Sequence, residues 1–203
     1  SGTRLGAHIA IDKRLPAMAG LGGGSSDAAS TLLALNRLWG LGWSRQQLAH
    51  LGLQLGADVP FFLLGQHAWV EGVGELLTPL TLPRQRFVVL KPPTGLSTAA
   101  IFGSPDLERA HKSVTISDFV ARPYGFGQND LQQVAQRLSP DVKLALDGLA
   151  QIGLQPRMTG SGSAVFAPVP QDFQMPPAQP GWISRVCHNL ESHPLWGWCS
   201  SDD

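Results

Sequence analysis

The chain has 203 residues, with 15 Lys and Arg against 15 Asp and Glu, 43% apolar residues and 15% charged ones. That composition supplies a folded core and carries too little charge density for wholesale disorder. Zero formal net charge argues against a nucleic-acid-wrapping surface, which needs a basic excess to displace counterions, and no apolar run approaches the roughly 20 residues of a membrane-spanning helix.

Apolar Ala7, Ile9 and Ile11 alternate with His8, Ala10 and Asp12, the period of two that predicts a half-buried strand. Residues 16–26 are too glycine-rich to form an element and lead into a helix predicted to bury Ala28, Leu32, Leu35 and Trp39. Gly40 and Gly42 end that helix, and Ser44-Arg45-Gln46-Gln47 is a capping box that starts a second, with Leu48, Leu51 and Leu55 inward and Gly56 as its stop. Asp58-Val59-Pro60 begins a short third helix, with Asp at the cap and Pro in the first turn, closed by Gly65. Strands are predicted over 67–70 and 86–90. The Pro- and Thr-rich stretch 78–83 places a domain boundary near residue 82, giving domains 1–82 and 83–203 with an unread tail from about 170. The second domain is predicted to hold a helix from Ser97, an irregular stretch through Arg122-Pro123-Tyr124-Gly125 and two helices over 129–149, with Ser139-Pro140 capping the second. A strand over 157–167 follows, interrupted by Gly160-Ser161-Gly162.

Gly20, Gly22, Gly23 and Gly24 precede Ser25 and Ser26 at a helix start. With no Cβ in the way, backbone N–H groups there can converge on one anion, and the helix terminus adds partial positive charge. The ligand of such a cradle is a nucleotide polyphosphate, with the serine hydroxyls placed for phosphate oxygens or a phosphate-bound Mg2+. It is not a Walker A loop, because no Lys follows the last Gly, and it fits the dinucleotide fingerprint poorly. A flexible turn is the competing reading. Asp58 lies in the otherwise apolar Leu55-Gly56-Ala57-Asp58-Val59-Pro60-Phe61-Phe62, where a carboxylate needs a reason. It either caps the short helix or serves as a base or orienting group for a substrate hydroxyl, and spacing alone favours the cap.

Elsewhere the signals are weaker. Cys187 and Cys199 match no metal or redox spacing and fit a reducing, cytoplasmic setting. His67, His111, His188 and His193 form no spaced ligand set. Trp182, Trp196 and Trp198 predict a C-terminal segment docked on the core, and Gly160-Ser161-Gly162-Ser163 lacks the spacing of a serine-hydrolase elbow.

Three segments together resemble the GHMP small-molecule kinases. Residues 16–26 are similar to the second motif of that family, 56–62 to its catalytic-aspartate segment, and 157–166 to its third motif. The Gly-Leu-Gly-Gly-Gly-Ser-Ser form, with Gly-Ala-Asp-Val-Pro and then Glu71-Gly72-Val73-Gly74-Glu75, resembles the branch that phosphorylates the 2-hydroxyl of a cytidine diphosphate-linked methylerythritol in non-mevalonate isoprenoid precursor synthesis. The resemblance implies an α+β fold of two α/β domains, a partial ribosomal-protein-S5-like N-terminal domain and a ferredoxin-like C-terminal domain. It implies ATP and Mg2+ as cofactors and a small-molecule substrate, with no nucleic-acid or membrane partner.

Carried over position by position, Asp58 is the catalytic aspartate that accepts or orients the hydroxyl proton. Pro16, Ala17, Met18, Ala19, Gly20, Leu21, Gly22, Gly23, Gly24, Ser25 and Ser26 form the ATP loop, with Ser26 also on Mg2+. Thr98 lies beside the sugar-like moiety, Phe102 either stacks on cytosine or is buried as core, and residues 160–163 pack close to the glycine loop. The N-terminal strand whose Lys pairs with that aspartate, and the Tyr-His pair that follows it, have no counterpart in this sequence. Lys13 is not that lysine and reads as a solvated charge. The chain is therefore expected to be a fragment lacking the first strands, weakly active or inactive, with exposed apolar sheet edges. The alternatives are another GHMP kinase acting on homoserine, mevalonate or a sugar, and a non-catalytic nucleotide-binding module. RNA binding, suggested by fold analogy alone, is disfavoured by the neutral charge.

Overall fold

The computed structural model describes residues 1–109, 114–176 and 179–199, so His111 lies outside the described residues. By its contacts the chain divides into two compact units, one of residues 1–15, 22–82 and Leu190 onward, the other of residues 16–21 and 83–189.

In the first unit, α1 (Gly23–Leu38), α2 (Arg45–Leu55) and α3 (Val59–Leu64) pack around Ala29, Leu33, Leu48, Val59 and Leu63. A hairpin of β1 (Ala68–Glu71) and β2 (Leu76–Pro79) follows. The capping box of α2 forms, Ser44 Oγ accepting from the Gln47 N–H at 3.3 Å and Gln47 Oε1 from the Ser44 N–H at 2.8 Å. The buried face of α1 is Ala29, Leu33 and Asn36, one residue round from the expected stripe. Asn36 sets that rotation. Its amide donates to the Trp43 carbonyl and accepts from the Trp43 N–H, both at 3.0 Å, which ties α1 to the turn before α2. In α2 the inward positions are Leu48 and Gly52, while Leu55 faces solvent. Gly52 is a contact point for α3, since a Cβ there would lie 2.8 Å from both Val59 and Leu63.

The strand expected over residues 7–12 does not form. Ile9 and Ile11 are 54% and 57% exposed, and the segment has no ladder partner among the described residues. Alternation specifies which face is apolar, but a neighbouring strand must supply the hydrogen bonds.

Residues from Leu190 complete this unit. The His193 N–H donates to the Gly65 carbonyl at 2.7 Å. Arg45, read from sequence only as part of a capping box, is buried; it donates to the Leu63 carbonyl and, at 2.8 Å, to the Trp196 carbonyl. Its guanidinium also stands 4.5 Å over the Trp196 ring, as Arg37 stands 5.1 Å over Trp198. The expected docking of Trp196 and Trp198 is therefore observed.

The second unit is a four-stranded antiparallel sheet in the order β4-β5-β3-β6. Its elements along the chain are β3 (Arg86–Lys91), α4 (Thr98–Phe102), α5 (Ile116–Ala121), α6 (Leu131–Leu138), α7 (Pro140–Gln151), β4 (Arg157–Met158), β5 (Val165–Val169) and β6 (Ile183–His188). Val88 and Leu90 of β3, Val165 and Ala167 of β5, Val134 of α6 and Val142, Ala145 and Leu149 of α7 form its core. The predicted cap of α7 is only partly right: Pro140 occupies the first turn, yet the Ser139 side chain makes no capping bond. The fixed φ of Pro140 supplies the start instead. Strand β6 lies inside the tail that composition left unread, paired along β3 from Arg86↔His188 to Lys91↔Ile183, with Trp182 against the core.

Candidate active site

In the first unit, α1 starts after Gly22, which is left-handed (φ 66°), and no side chain caps the helix. The first-turn N–H groups have no intrahelical acceptors and the positive end of the helix dipole is bare. A Cβ at Gly22 would lie 2.8 Å from the Phe62 ring, so this terminus rests on α3 one turn beyond Asp58. Gly24 meets open space.

Asp58 occupies the N-cap position of α3 but takes no capping bond. Its backbone is αR (φ −86°, ψ −11°), whereas a capping side chain needs an extended N-cap residue to reach back to the third N–H. The capping reading fails, and the carboxylate is exposed. What holds its backbone is the turn 71–75: Gly74, at φ 113°, approaches so closely that a Cβ would lie 2.0 Å from the Ala57 carbonyl oxygen. Within that turn Glu75 Oε2 accepts from the Val73 N–H at 2.7 Å. Lys13 is not merely solvated, since its Nζ pairs with Asp27 Oδ2 at 2.5 Å. Exposure keeps that pair worth at most about 1 kcal/mol.

In the second unit, the start of the glycine loop lies against residues 159–164, as the expectation for residues 160–163 required. The Met18 carbonyl accepts from the Ser163 N–H at 3.2 Å, that of Ala19 from the Ala164 N–H at 3.0 Å, and that of Gly20 from Thr159 Oγ1 at 2.9 Å. A Cβ at Gly20 would lie 2.1 Å from the Thr159 carbonyl oxygen. Asn129 braces this segment, its Nδ2 donating to the carbonyls of Met158 (2.9 Å) and Gly160 (2.8 Å).

Thr98 opens α4 behind the cap Ser97, and its hydroxyl is 2.8 Å from Ser161 Oγ. Phe102 is 53% exposed, which rules out the core alternative. It borders a groove of about 460 Å³ shared with Leu131, Thr159, Gly160 and Phe166.

Sequence reasoning missed Lys91. Its buried ammonium donates to the carbonyls of Pro92 and Thr94, and Ser163 Oγ donates to that same Thr94 carbonyl, fixing the turn that leads to Thr98. Burial pulls the Lys91 pKa down, against an opposing push from the charge of Asp141. A lysine ending a strand before Pro92-Pro93 gives no sign of this; only the two-proline turn, which leaves carbonyls without strand partners, hints that a donor is needed. Among the described residues no cluster of His, Cys, Asp and Glu is placed to hold a metal ion, and no helix is long and apolar enough to cross a membrane.

Residues 1–66 match the model of the GHMP kinase N-terminal domain. The chain is 58% identical to the 4-diphosphocytidyl-2-C-methyl-D-erythritol kinase of Delftia acidovorans, the match covering the whole chain and 72% of that protein. It is 56% identical to the enzyme of the same name from Paracidovorax citrulli, again over the whole chain and 73% of the relative. A crystal structure of 4-(cytidine 5'-diphospho)-2C-methyl-D-erythritol kinase superposes with a TM-score of 0.65 at 38% identity, over 77% of this chain and 59% of that one. Identity of this level over most of the relatives' length, with the α+β fold in common, decides the family: the chain belongs to the 4-diphosphocytidyl-2-C-methyl-D-erythritol kinases of the GHMP group.

Proposed function

We propose that the protein phosphorylates the 2-hydroxyl of 4-diphosphocytidyl-2-C-methyl-D-erythritol, using ATP and Mg2+, in non-mevalonate isoprenoid precursor synthesis. The observation that carries the reading is the seating of Gly22 on Phe62, which sets the uncapped terminus of α1 beside the helix that begins at Asp58, whose carboxylate has no capping duty. The residues suit a nucleotide polyphosphate: glycine backbone with open space at Gly24, uncommitted first-turn N–H groups, and hydroxyls at Ser25 and Ser26.

Phosphoryl transfer asks a protein mainly for positioning and charge neutralisation. Bound ATP supplies the phosphoryl group and the leaving ADP. Residues 16–26 would hold the phosphates, and Ser26 would offer its hydroxyl to the accompanying Mg2+. Asp58 accepts or orients the proton of the acceptor hydroxyl as its oxygen bonds to phosphorus and the bond to ADP breaks. Thr98 and Phe102 bind the acceptor, the ring of Phe102 stacking on cytosine. We read the two units as the partial S5-like and the ferredoxin-like domains of the family; for the second, the order β4-β5-β3-β6 supports this. Cys187 and Cys199, at a spacing that matches no metal or redox motif, accord with a cytoplasmic setting.

The test is ADP release on adding the cytidylyl substrate to protein, ATP and Mg2+, run on this chain and on a version extended at its N-terminus with the corresponding residues of the Delftia relative. Acceptor-dependent turnover that Asp58→Asn lowers by about three orders of magnitude is expected. No turnover by either folded protein, or turnover indifferent to Asp58→Asn, refutes the reading. Inhibition by CDP or CMP separates this acceptor from homoserine, mevalonate or a sugar.

A further inference from the structure

In the segment that leads into α1, three consecutive carbonyls point the same way. Those of Met18, Ala19 and Gly20 are all taken by donors of residues 159–164. An extended chain alternates its carbonyls; left-handed backbone at Gly20 (φ 68°), whose dihedrals turn its carbonyl relative to that of Ala19, removes the alternation between those two. In a trans peptide the N–H points opposite to the carbonyl of the same unit. The N–H groups of Ala19, Gly20 and Leu21 are therefore all turned away from residues 159–164, and among the described residues none has a backbone acceptor. Successive N–H groups presented in this way form an anion-binding concavity.

The Met18 carbonyl also accepts from the Leu96 N–H at 3.5 Å. Of the three donors from residues 159–164, two are backbone N–H groups that any side chain at Ser163 or Ala164 would leave in place. The third is the hydroxyl of Thr159, the only side chain among them. It sets the plane of the Gly20–Leu21 peptide. Asn129 holds Thr159 in turn, through the carbonyls of its two neighbours, Met158 and Gly160. No side chain fits at Gly20, because any Cβ would collide with the Thr159 backbone.

We propose that Thr159 is a positioning residue for ATP: by holding the Gly20 carbonyl, its hydroxyl keeps the Leu21 N–H aimed at a phosphate oxygen. This rests on the reading of residues 16–26 as the ATP loop. Thr159 touches no reacting atom, and its effect falls on nucleotide affinity, not on the acceptor.

The experiment measures dissociation constants for Mg-ATP and, separately, for the cytidylyl substrate by calorimetry. The proteins are the unsubstituted chain, Thr159→Ala, Thr159→Ser and Gly24→Asp. Thr159→Ala is expected to weaken ATP about five- to tenfold, the effect of one lost hydrogen bond, and Thr159→Ser to stay within about twofold; neither should change acceptor affinity. Equal weakening by Ala and Ser, an equal loss of acceptor affinity, or an ATP affinity unchanged in Thr159→Ala overturns the proposal. Gly24→Asp tests the underlying reading independently: its Cβ has room and a first-turn carboxylate suits the helix, yet it repels phosphate. If Gly24→Asp leaves ATP binding intact, the ATP loop reading fails and takes this proposal with it. If Gly24→Asp weakens ATP and Thr159→Ala does not, only the role of Thr159 fails. Should Thr159→Ala not fold, the amide spectrum of the unsubstituted chain decides: the Leu21 amide shifts on adding Mg-ATP if the proposal holds, and an unmoved Leu21 amide overturns it.

Discussion

Gly74 leaves no room for a side chain against Ala57: a Cβ on the first would stand 2.0 Å from the carbonyl oxygen of the second. The contact presses the hairpin turn onto the residue directly before Asp58. Gly74→Ala must move that backbone and also strain a φ of 113°, so a loss of at least about 2 kcal/mol is expected together with reduced kcat. Gly72→Ala is the control. It too has positive φ, but its Cβ meets only the flexible Glu75 carboxylate, so a loss nearer 1 kcal/mol with kcat retained is expected. Thermal melts and initial rates on both variants check this, and equal damage from both would show that the approach to Ala57 has no special weight.

Arg45 bonds two carbonyls that lie far apart in sequence, those of Leu63 and Trp196. Arg45→Met strands both acceptors and is expected to cost on the order of 3 kcal/mol. Limited proteolysis should then cut first within residues 190–199. Arg45→Lys is not expected to rescue, because an ammonium lacks the planar fork and stacks poorly on Trp196. Protection of 190–199 in Arg45→Met would count against the clamp.

Burial, and then the charge of Arg45, hold the pKa of His193 below its usual 6.5. Between that lowered value and 6.5 the unfolded chain binds the proton that the folded chain refuses. Stability is therefore full above about pH 6.5 and falls as pH drops toward the lowered value. His193→Asn keeps an acceptor for the Leu195 N–H, which His193 Nδ1 accepts at 3.1 Å, and cannot titrate. Urea midpoints at pH 8 and pH 5.5 should differ less in His193→Asn than in the unsubstituted protein; identical differences would remove His193 as the cause.

Phe102 exposes an aromatic face beside a groove in the second unit. Phe102→Leu keeps the apolar bulk and loses the stacking plane, so about tenfold weaker binding of the cytidylyl substrate is expected with ATP affinity unchanged. Titration with each ligand distinguishes this from a general disturbance, and unchanged affinity for the cytidylyl substrate removes Phe102 from the site.

The parts of this fold that reveal themselves in sequence are those whose causes are local. The box at Ser44 and Gln47, the glycines before α1 and the short helix after Asp58 each depend on residues within a few positions of one another. Where the deciding partner is distant, local pattern misleads. The rotation of α1 depends on a polar residue, Asn36, bonded to the Trp43 backbone, and an apolar stripe cannot register that. Arg45 resembles any helix-start cation until residues from 190 onward cover it. Strand β6 is hidden among prolines and tryptophans because its partner, β3, lies nearly a hundred residues earlier. The same limit applied to Asp58: capping was the best local explanation, and its αR backbone excludes it.

The first unit includes residues from Leu190 onward, made only after the whole of the second unit. During synthesis, then, the helices around Asp58 emerge early but wait for Trp196 to reach the Arg45 side chain. Domains usually fold as units in the order they emerge. Here the last contact of the earlier unit is delivered by the later chain, which makes completion of the Asp58 neighbourhood a report that translation has passed residue 196.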